Sequence, residues 1–508
     1  MLTCSNNFKF LRKSISSLKI IYVKAEKHSQ LGPAVSFLIG PLLIIFILFF
    51  NPLRVDVSAN RVLAVAALMI SWWITDAIPM PAVAIIPLVL FPLLGISKIS
   101  ETAAPYANEV IFLFMGGFMI GLGIEKWNLH KRIALSIVRF TGTGGNRIIL
   151  GFIIATGFIS MWLSNTATTM MMYPIAVSVI SVLNAKHASE KQVRNFSICI
   201  MLAIAYASNF GGIATVIGTP PNVAYASFMN KKYGYDISFF NWMLICTPIA
   251  VLLLTALYFV LVNMYPNRIA SSVEMKTHIQ DDLKHLGPMT TPEKRVLYIF
   301  CTTALLWMTR DLINKTALLK LDDNMIAVFG ALLLFIVPSG NKNGMSNKLL
   351  VWSDTSKMAW GILLLFGGGI ALAGALEKVG LIGMLGKWLS GFSGTTLITL
   401  ILVVAVLSIF ISEVMSNVAQ VIVFAPVVTG IAEALHLNPF LLGIPMTLAA
   451  SCASMMPMGT PPNAIVFSSG HIKLSQMMKT GFVMNLISII LIVLFSYYIV
   501  PLVLTLPK

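Results

Sequence analysis

The sequence predicts an all-α polytopic membrane protein made of two homologous repeats, with helices broken at membrane depth and re-entrant hairpins. Three observations predict it. First, of 508 residues 57% are hydrophobic and only 11% charged, with a mean hydropathy of +0.87. A soluble domain carries roughly 25% charged residues, so this chain cannot cover a water-facing surface. Second, apolar runs recur at 35–50, 62–74, 77–96, 148–183, 244–262, 325–337, 397–411 and 486–504. The longer ones reach the ~20 residues that cross a bilayer as a helix. Third, the same motifs occur twice in the same order.

The chain opens on a basic arm, residues 1–33, with Lys9, Arg12, Lys13, Lys19, Lys24 and Lys27. Its charge places it in the cytoplasm by the positive-inside bias. No small-residue cleavage site follows a compact apolar core, so no cleaved signal peptide is expected. The net charge of +16 is spread over this arm and short loops. No basic, aromatic-interleaved soluble module exists to hold nucleic acid. The cysteines, Cys4, Cys199, Cys246, Cys301 and Cys452, lack metal-ligand spacing and read as small apolar fillers.

The repeats follow. FMGGFMIGLGIEKWNL at 114–129 matches FGGGIALAGALEKVGL at 366–381, an offset of 252. The same offset carries Ser164-Asn165 onto Ser416-Asn417 and Pro174 onto Pro426. GTPPN occurs at 218–222 and again at 459–463, an offset of 241. The chain therefore divides into a first repeat, 34–264, a polar loop, 265–293, and a second repeat, 294–508. Transporters are built from such halves, with substrate held near the mid-membrane interface. The halves are inverted if each crosses an odd number of times. The Gly-rich stretches 115–123 and 365–375, followed by polar turns, read as halves of re-entrant hairpins.

Within the first repeat, Ser164–Thr169 reads SNTATT inside the apolar run 157–177. Ser, Asn and Thr compete for local backbone groups and favour helix N-caps, so the patch breaks a helix. A helix ending near Leu163 presents free carbonyls to a cation. A helix restarting as 167–183 presents N–H groups and a positive dipole end. Ser416-Asn417-Val418 repeats the arrangement. In GTPPN, Gly permits close approach, Pro-Pro removes backbone donors and frees carbonyls, and Thr and Asn add side-chain oxygens that sodium accepts.

What is absent matters equally. Segments 151–185, 201–229 and 451–470 contain no Asp, Glu, Lys or Arg, and 405–432 contains only Glu413. An anion in a site built from them meets dipoles but no fixed cation, and uncompensated charge at membrane depth costs several kcal/mol. Co-bound cations relieve that cost, which ties anion uptake to an ion gradient. Glu413 neighbours the second cation position and either neutralises its cation or titrates. Asp76 reads as a helix-end cap, Glu125 and Glu377 as hairpin tips near water, and His130 and His471 as interfacial.

The chain resembles the divalent anion/sodium symporter family, the dicarboxylate, citrate and sulfate carriers. The residues that carry the resemblance are SWWITDAIPMP (71–81), SNTATT (164–169), the two GTPPN motifs, FGGGIALA (366–373) and SCASMMPMGTPPNAIVF (451–467). It implies a first sodium site at Ser160, Ser164, Asn165 and Gly218, and a second at Ser412, Met415, Asn417 and Gly459, largely through backbone carbonyls. It implies substrate contacts from Asn165, Thr166 and Asn417, with Thr219, Thr460 and Pro461 nearby. Val418 stands where the family usually has Thr, so one hydroxyl is missing, worth roughly 0.5–1.5 kcal/mol for a neutral hydrogen bond. Gln420 stands close enough to compensate, or faces a neighbouring helix.

The implied fold has a scaffold domain that dimerises and a transport domain that moves as an elevator, with one hairpin per half near 108–140 and 360–392. The expected function is sodium-coupled symport of divalent anions, C4-dicarboxylates such as succinate, fumarate or malate, across the inner or plasma membrane. Sodium is a co-transported ion, and no cofactor is expected. The alternatives are a sodium-independent dicarboxylate exchanger, a sulfate or citrate carrier, and, from another class, an ion channel or membrane sensor. No cluster of like charges suggests a filter, and no metal pattern, nucleophile elbow or nucleotide loop suggests an enzyme.

Overall fold

The computed structural model describes residues 33–184, 190–267, 269, 273–315, 320–340, 347–381, 384 and 396–504. The basic arm up to residue 32, with Cys4, lies outside them, as does most of 382–395. The helices are α1 (Pro33–Phe50), α2 (Val57–Thr75), α3 (Met80–Ala84), α4 (Ile86–Leu93), α5 (Ile99–Ala103), α6 (Glu109–Lys126), α7 (Leu129–Thr141), α8 (Gly145–Ser160), α9 (Asn165–Asn184), α10 (Glu190–Gly212), α11 (Pro220–Tyr233) and α12 (Phe239–Met264). They continue as α13 (Val273–His285), α14 (Thr291–Asn314), α15 (Asp323–Ile336), α16 (Trp360–Lys378), α17 (Leu397–Ser412), α18 (Asn417–Ala434), α19 (Phe440–Ser451), α20 (Pro461–Ser468), α21 (Leu474–Tyr498) and α22 (Val500–Val503). Among the described residues seven helical segments are long and apolar enough to cross a membrane. The polar stretch 265–293 contains α13 rather than loop alone.

The two helices that lead into the SN motifs, α8 and α17, are too short to cross. α8 has 16 residues, about 24 Å at 1.5 Å per residue, against a hydrocarbon core of ~30 Å. Its direction is fixed by contacts with α10. At one end the Gly145 N–H donates to Ile269 O at 3.0 Å and Asn195 Nδ2 donates to Pro266 O at 3.0 Å. At the other end Ser160 Oγ meets Ser208 O at 2.8 Å. So α8 runs parallel to α10. α9 runs the other way: its start lies against Gly212 through Asn165, Thr169 Oγ1 donates to Ser208 Oγ at 3.0 Å, and a short connection joins its end to α10. α8 and α9 thus form a hairpin whose tip is Met161–Ser164, held at membrane depth.

The second repeat builds the same object. Ser408 Oγ donates to Met446 O at 2.6 Å and Ser412 Oγ meets Ala450 O at 2.6 Å, so α17 parallels α19. α18 returns from the tip and joins α19 through a short link. The hairpins are therefore α8–α9 and α17–α18, which corrects the placement at 108–140 and 360–392. α6 and α16 are uninterrupted helices. Their glycines serve close helix approach rather than a turn: a methyl on Gly116 would lie 2.6 Å from the Ala327 carbonyl carbon of α15, and one on Gly368 would collide with Ala84 O of α3. The adjacent face of each turns to the motif-bearing segments: a methyl on Gly117 would lie 3.4 Å from Ile217 in the stretch before α11, and one on Gly369 would meet Ile422 of α18.

The repeats are inverted. α10 enters from the face that holds Gly145 and Pro266. α21 starts on that face, where Tyr265 OH donates to Gln476 O at 3.3 Å. It crosses, and beyond α22 Asn438 Nδ2 donates to Leu504 O at 2.9 Å on the opposite face. α19, beginning at Phe440, enters from that opposite face, beside the end of α11, where Tyr235 and Phe440 pair edge to face at 5.0 Å. Asp76 ends α2 in the left-handed conformation (φ 50°), the helix-end role expected. His130 is buried against protein with Nδ1 3.2 Å from Ile124 O, because α7 turns its apolar side onto α8.

Gly368→Leu is expected to lower the melting temperature of the detergent-solubilised protein, since overpacking costs roughly 1–3 kcal/mol and this side chain would meet backbone. An unchanged melting temperature would show that α16 and α3 are not in backbone contact.

Candidate functional site

Four helices begin at the centre of the molecule: α9 at Asn165, α11 at Pro220, α18 at Asn417 and α20 at Pro461. Each follows a break. The first hairpin tip is 161–164 and the second 413–416; α10 unwinds over 213–219 and α19 over 452–460. The restart of α9 is two residues earlier than the sequence suggests, because Ser164 is its cap, with Ser164 Oγ accepting from the Ala167 N–H at 3.3 Å and Ser164 O from the Thr168 N–H at 2.9 Å. In GTPPN the prolines occupy the first helical positions of α11 and α20. There their missing N–H costs nothing and their fixed φ suits the helix. The Pro-Pro pair therefore starts a helix, where the sequence suggested that it frees carbonyls.

At the first tip, oxygens from three segments converge on the side-chain amide of Asn165. Ser160 is fully buried, and its Oγ lies 2.9 Å from Asn165 Oδ1 and 2.8 Å from Ser208 O. The same amide tip of Asn165 lies 3.1 Å from Ser208 O and 3.2 Å from Gly218 O. With Nδ2 of Asn165 turned to this point, it donates to all three oxygens. With Oδ1 there, the Ser160 hydroxyl has one proton for two acceptors, and oxygen is left facing oxygen unless a cation lies between them. Gly218 has no side chain where one would crowd Ser160 O at 3.0 Å. Neutral oxygens converging around a glycine cradle fit a hard monovalent cation.

The second tip repeats this. Ser412 Oγ lies 2.7 Å from Asn417 Oδ1 and 2.6 Å from Ala450 O, and a methyl on Gly459 would lie 3.5 Å from Ser412 O and 3.1 Å from Glu413 Oε2. The carbonyls of Ser208 and Ala450 are members that residue-type reasoning missed, since a backbone oxygen leaves no mark in the sequence. Met415 is buried at the tip, its N–H bonded to Ile411 O at 3.2 Å.

Glu413 is buried, and its carboxylate takes four donors: the N–H groups of Ser454 (2.9 Å), Met455 (2.8 Å) and Met456 (2.8 Å) and Asn485 Nδ2 (2.7 Å). It ties the hairpin tip to the unwound segment of α19. In the first repeat that tie has reversed polarity: Thr215 Oγ1 donates to Met161 O and accepts from the Gly218 N–H.

Around these clusters lie the expected anion contacts. Asn165 Nδ2 lies 3.5 Å from Thr219 Oγ1. Thr460 Oγ1 accepts from the Asn463 N–H at 3.3 Å and from Asn209 Nδ2 at 3.1 Å. Thr166 and Val418 are half-buried and Pro461 is exposed, so all three keep surface free of packed protein. Gln420 does not replace the hydroxyl missing at Val418: it is buried, and its Nε2 donates across the hairpin to Ser408 O at 2.8 Å. Asn209 was also missed, and it connects the repeats.

Ser160→Ala and Gly459→Ala each disturb one oxygen cluster. Each variant is expected to need roughly tenfold more sodium for the same rise in melting temperature, measured without anion, a loss of about 1.4 kcal/mol. A wild-type sodium response in both would place the cation elsewhere.

Comparison with known proteins gives the family and the fold. The family model for the sodium:sulfate symporter transmembrane region matches residues 34–505. The sodium-dependent dicarboxylate transporter SdcS of Staphylococcus saprophyticus is 39% identical over 490 residues, covering 94% of this chain and 93% of that protein. SdcS of Staphylococcus aureus (strain USA300) is 38% identical over 493 residues, covering 95% and 94%. Among solved structures, the YdaH transporter of Alcanivorax borkumensis aligns with a TM-score of 0.52 at 13% identity, covering 85% of this chain and 98% of that one, a likeness of fold. The chain belongs to the sodium:sulfate symporter transmembrane region family.

Proposed function

We propose that this protein is a sodium-coupled symporter of divalent anions, with C4-dicarboxylates such as succinate, fumarate or malate as substrate. The observation that carries this reading is the pairing, at each hairpin tip, of a cluster of neutral oxygens around a serine, an asparagine and a glycine with a helix N-terminus. The clusters centred on Ser160, Asn165 and Gly218 and on Ser412, Asn417 and Gly459 take sodium. The N-termini of α9, α11, α18 and α20 take the two carboxylates, with Asn165, Thr166 and Thr219 on one side and Asn417, Thr460 and Pro461 on the other. The relatives' names, sodium-dependent dicarboxylate transporter, support the same substrate and ion.

The reading includes an elevator. α8–α12 and α17–α21 carry the site and move together, while α6 and α16 form the glycine-lined contact with the remaining helices. It also includes a homodimer held through those remaining helices, and the division into repeats 34–264 and 294–508.

Val418 supports a second reading of the substrate. The second tip offers one hydroxyl fewer than the first, which suits an anion gripped unequally at its two ends, or a smaller divalent one such as sulfate.

Labelled succinate is expected to accumulate in proteoliposomes under an inward sodium gradient and not under potassium or a proton gradient alone. Equal uptake without sodium would leave exchange or proton coupling instead. Val418→Thr is expected to change the ranking of succinate, citrate and sulfate in a competition panel. An unaltered ranking would show that position 418 does not face the anion.

A further inference from the structure

Asn209 sits on α10 one turn before its end, wholly buried, and touches the motifs of both repeats. Its Nδ2 donates to Thr460 Oγ1 at 3.1 Å and lies 3.4 Å from Asn463 Oδ1, both in the second GTPPN. Its Oδ1 faces Asn165 Nδ2 at 3.5 Å, in the first SNT. We propose that Asn209 is a positioning residue that couples cation binding in the first repeat to the site groups of the second. The proposal rests on the sodium-coupled reading above and assigns how its two halves communicate.

The argument is one of amide orientation. An Asn amide is nearly symmetric in shape, and a half-turn exchanges donor and acceptor at almost no steric cost. Asn165 directs one amide atom at Ser160 Oγ, Ser208 O and Gly218 O, 2.9, 3.1 and 3.2 Å away. A cation among these oxygens requires Oδ1 to point at it. Nδ2 then points outward, where Asn209 Oδ1 accepts from it. Without a cation the favourable orientation is the reverse, with Nδ2 donating to the same three oxygens. Oδ1 of Asn165 then faces Oδ1 of Asn209.

Two carbonyl oxygens facing one another in a buried site are repulsive, so Asn209 must turn as well. Its turn reverses the bond with Thr460, whose hydroxyl must swing to donate, and sets its own oxygen against Asn463 Oδ1. Asn463 in turn holds the unwound segment of the second repeat, through Nδ2 on Met456 O at 3.1 Å. Sodium in the first cluster therefore favours the bonded arrangement of Thr460 and Asn463, and an empty cluster opposes it. The coupling is reciprocal, as linkage requires.

The test is a sodium titration of purified protein without anion, followed by tryptophan fluorescence, with the sodium dependence of uptake measured in parallel. Asn209→Ser keeps a small polar residue but cannot span both partners, and Thr460→Val removes the far acceptor while leaving α10 intact. The wild type is expected to show a Hill coefficient above 1. Each variant is expected to retain sodium binding with a Hill coefficient of about 1, and the double variant to lose no more than either alone, as residues in one chain do. Wild-type cooperativity in either single variant, or additive losses in the double, would reduce Asn209 to a packing residue. Absence of any sodium response in the wild type would instead overturn the sodium-coupled reading itself, so the two failures are separate.

Discussion

A helix that stops inside a membrane leaves carbonyls without donors, and the helix that follows leaves N–H groups without acceptors. No water reaches them from the lipid. This constraint governs the centre of the molecule. Four breaks lie there together because each supplies what another lacks. Ser160 and Ser412 sit at the last turn of a hairpin arm and reach carbonyls of the neighbouring broken helix. Asn222 gathers the carbonyls at the end of α10 with Nδ2, the closest Thr215 O at 2.8 Å. Asn463 does the same for Met456 O. What these side chains leave unsatisfied is uneven: oxygens accumulate at the tips and N–H groups at the restarts, a few residues apart.

The two tips are alike in backbone and different in charge. The link between tip and unwound segment is a neutral hydroxyl at Thr215 in one repeat and a carboxylate at Glu413 in the other. A buried carboxylate is costly unless donors converge on it, and four do. Its Oε2 lies close to the cradle at Gly459, so the second oxygen cluster has an acidic side chain as neighbour where the first has the Thr215 hydroxyl. On the proposed reading the second cluster holds its cation beside an acidic side chain, and the first does so among neutral groups.

Much of this was legible in the residues. Composition sufficed for the membrane and the helical class. Repetition of SN and GTPPN in order sufficed for the two halves and for the breaks, because Ser, Asn and Pro act locally on the backbone they belong to. The hairpins were misplaced because a glycine run has two local meanings, a turn or a close helix approach. Only the partner decides between them: Ala327 of α15 lies against Gly116, and Ala84 of α3 against Gly368. The carbonyls of Ser208 and Ala450 carry no side-chain signature. Asn209 looked like one more small polar residue in the charge-free segment 201–229, and its meaning lies in Thr460 and Asn463, some 250 residues away. Information that is local in the chain was readable, and information held in long-range pairing was not.

Inversion turns these local features into a mechanism. α10 and α19 enter from opposite faces and stop at the same depth, so each hairpin tip lies beside the broken helix of its own repeat and near the restarting helix of the other. On the proposed reading a cation at one tip and a carboxylate at the adjacent N-termini share a boundary, and each screens the other in a medium that screens little by itself. A filter selects by repeating one kind of ligand along a path. Here two kinds of ligand alternate around one point, and neither charge is well held alone. Such a centre favours the fully loaded and fully empty states over the half-loaded ones, and that preference is the thermodynamic basis of coupled transport.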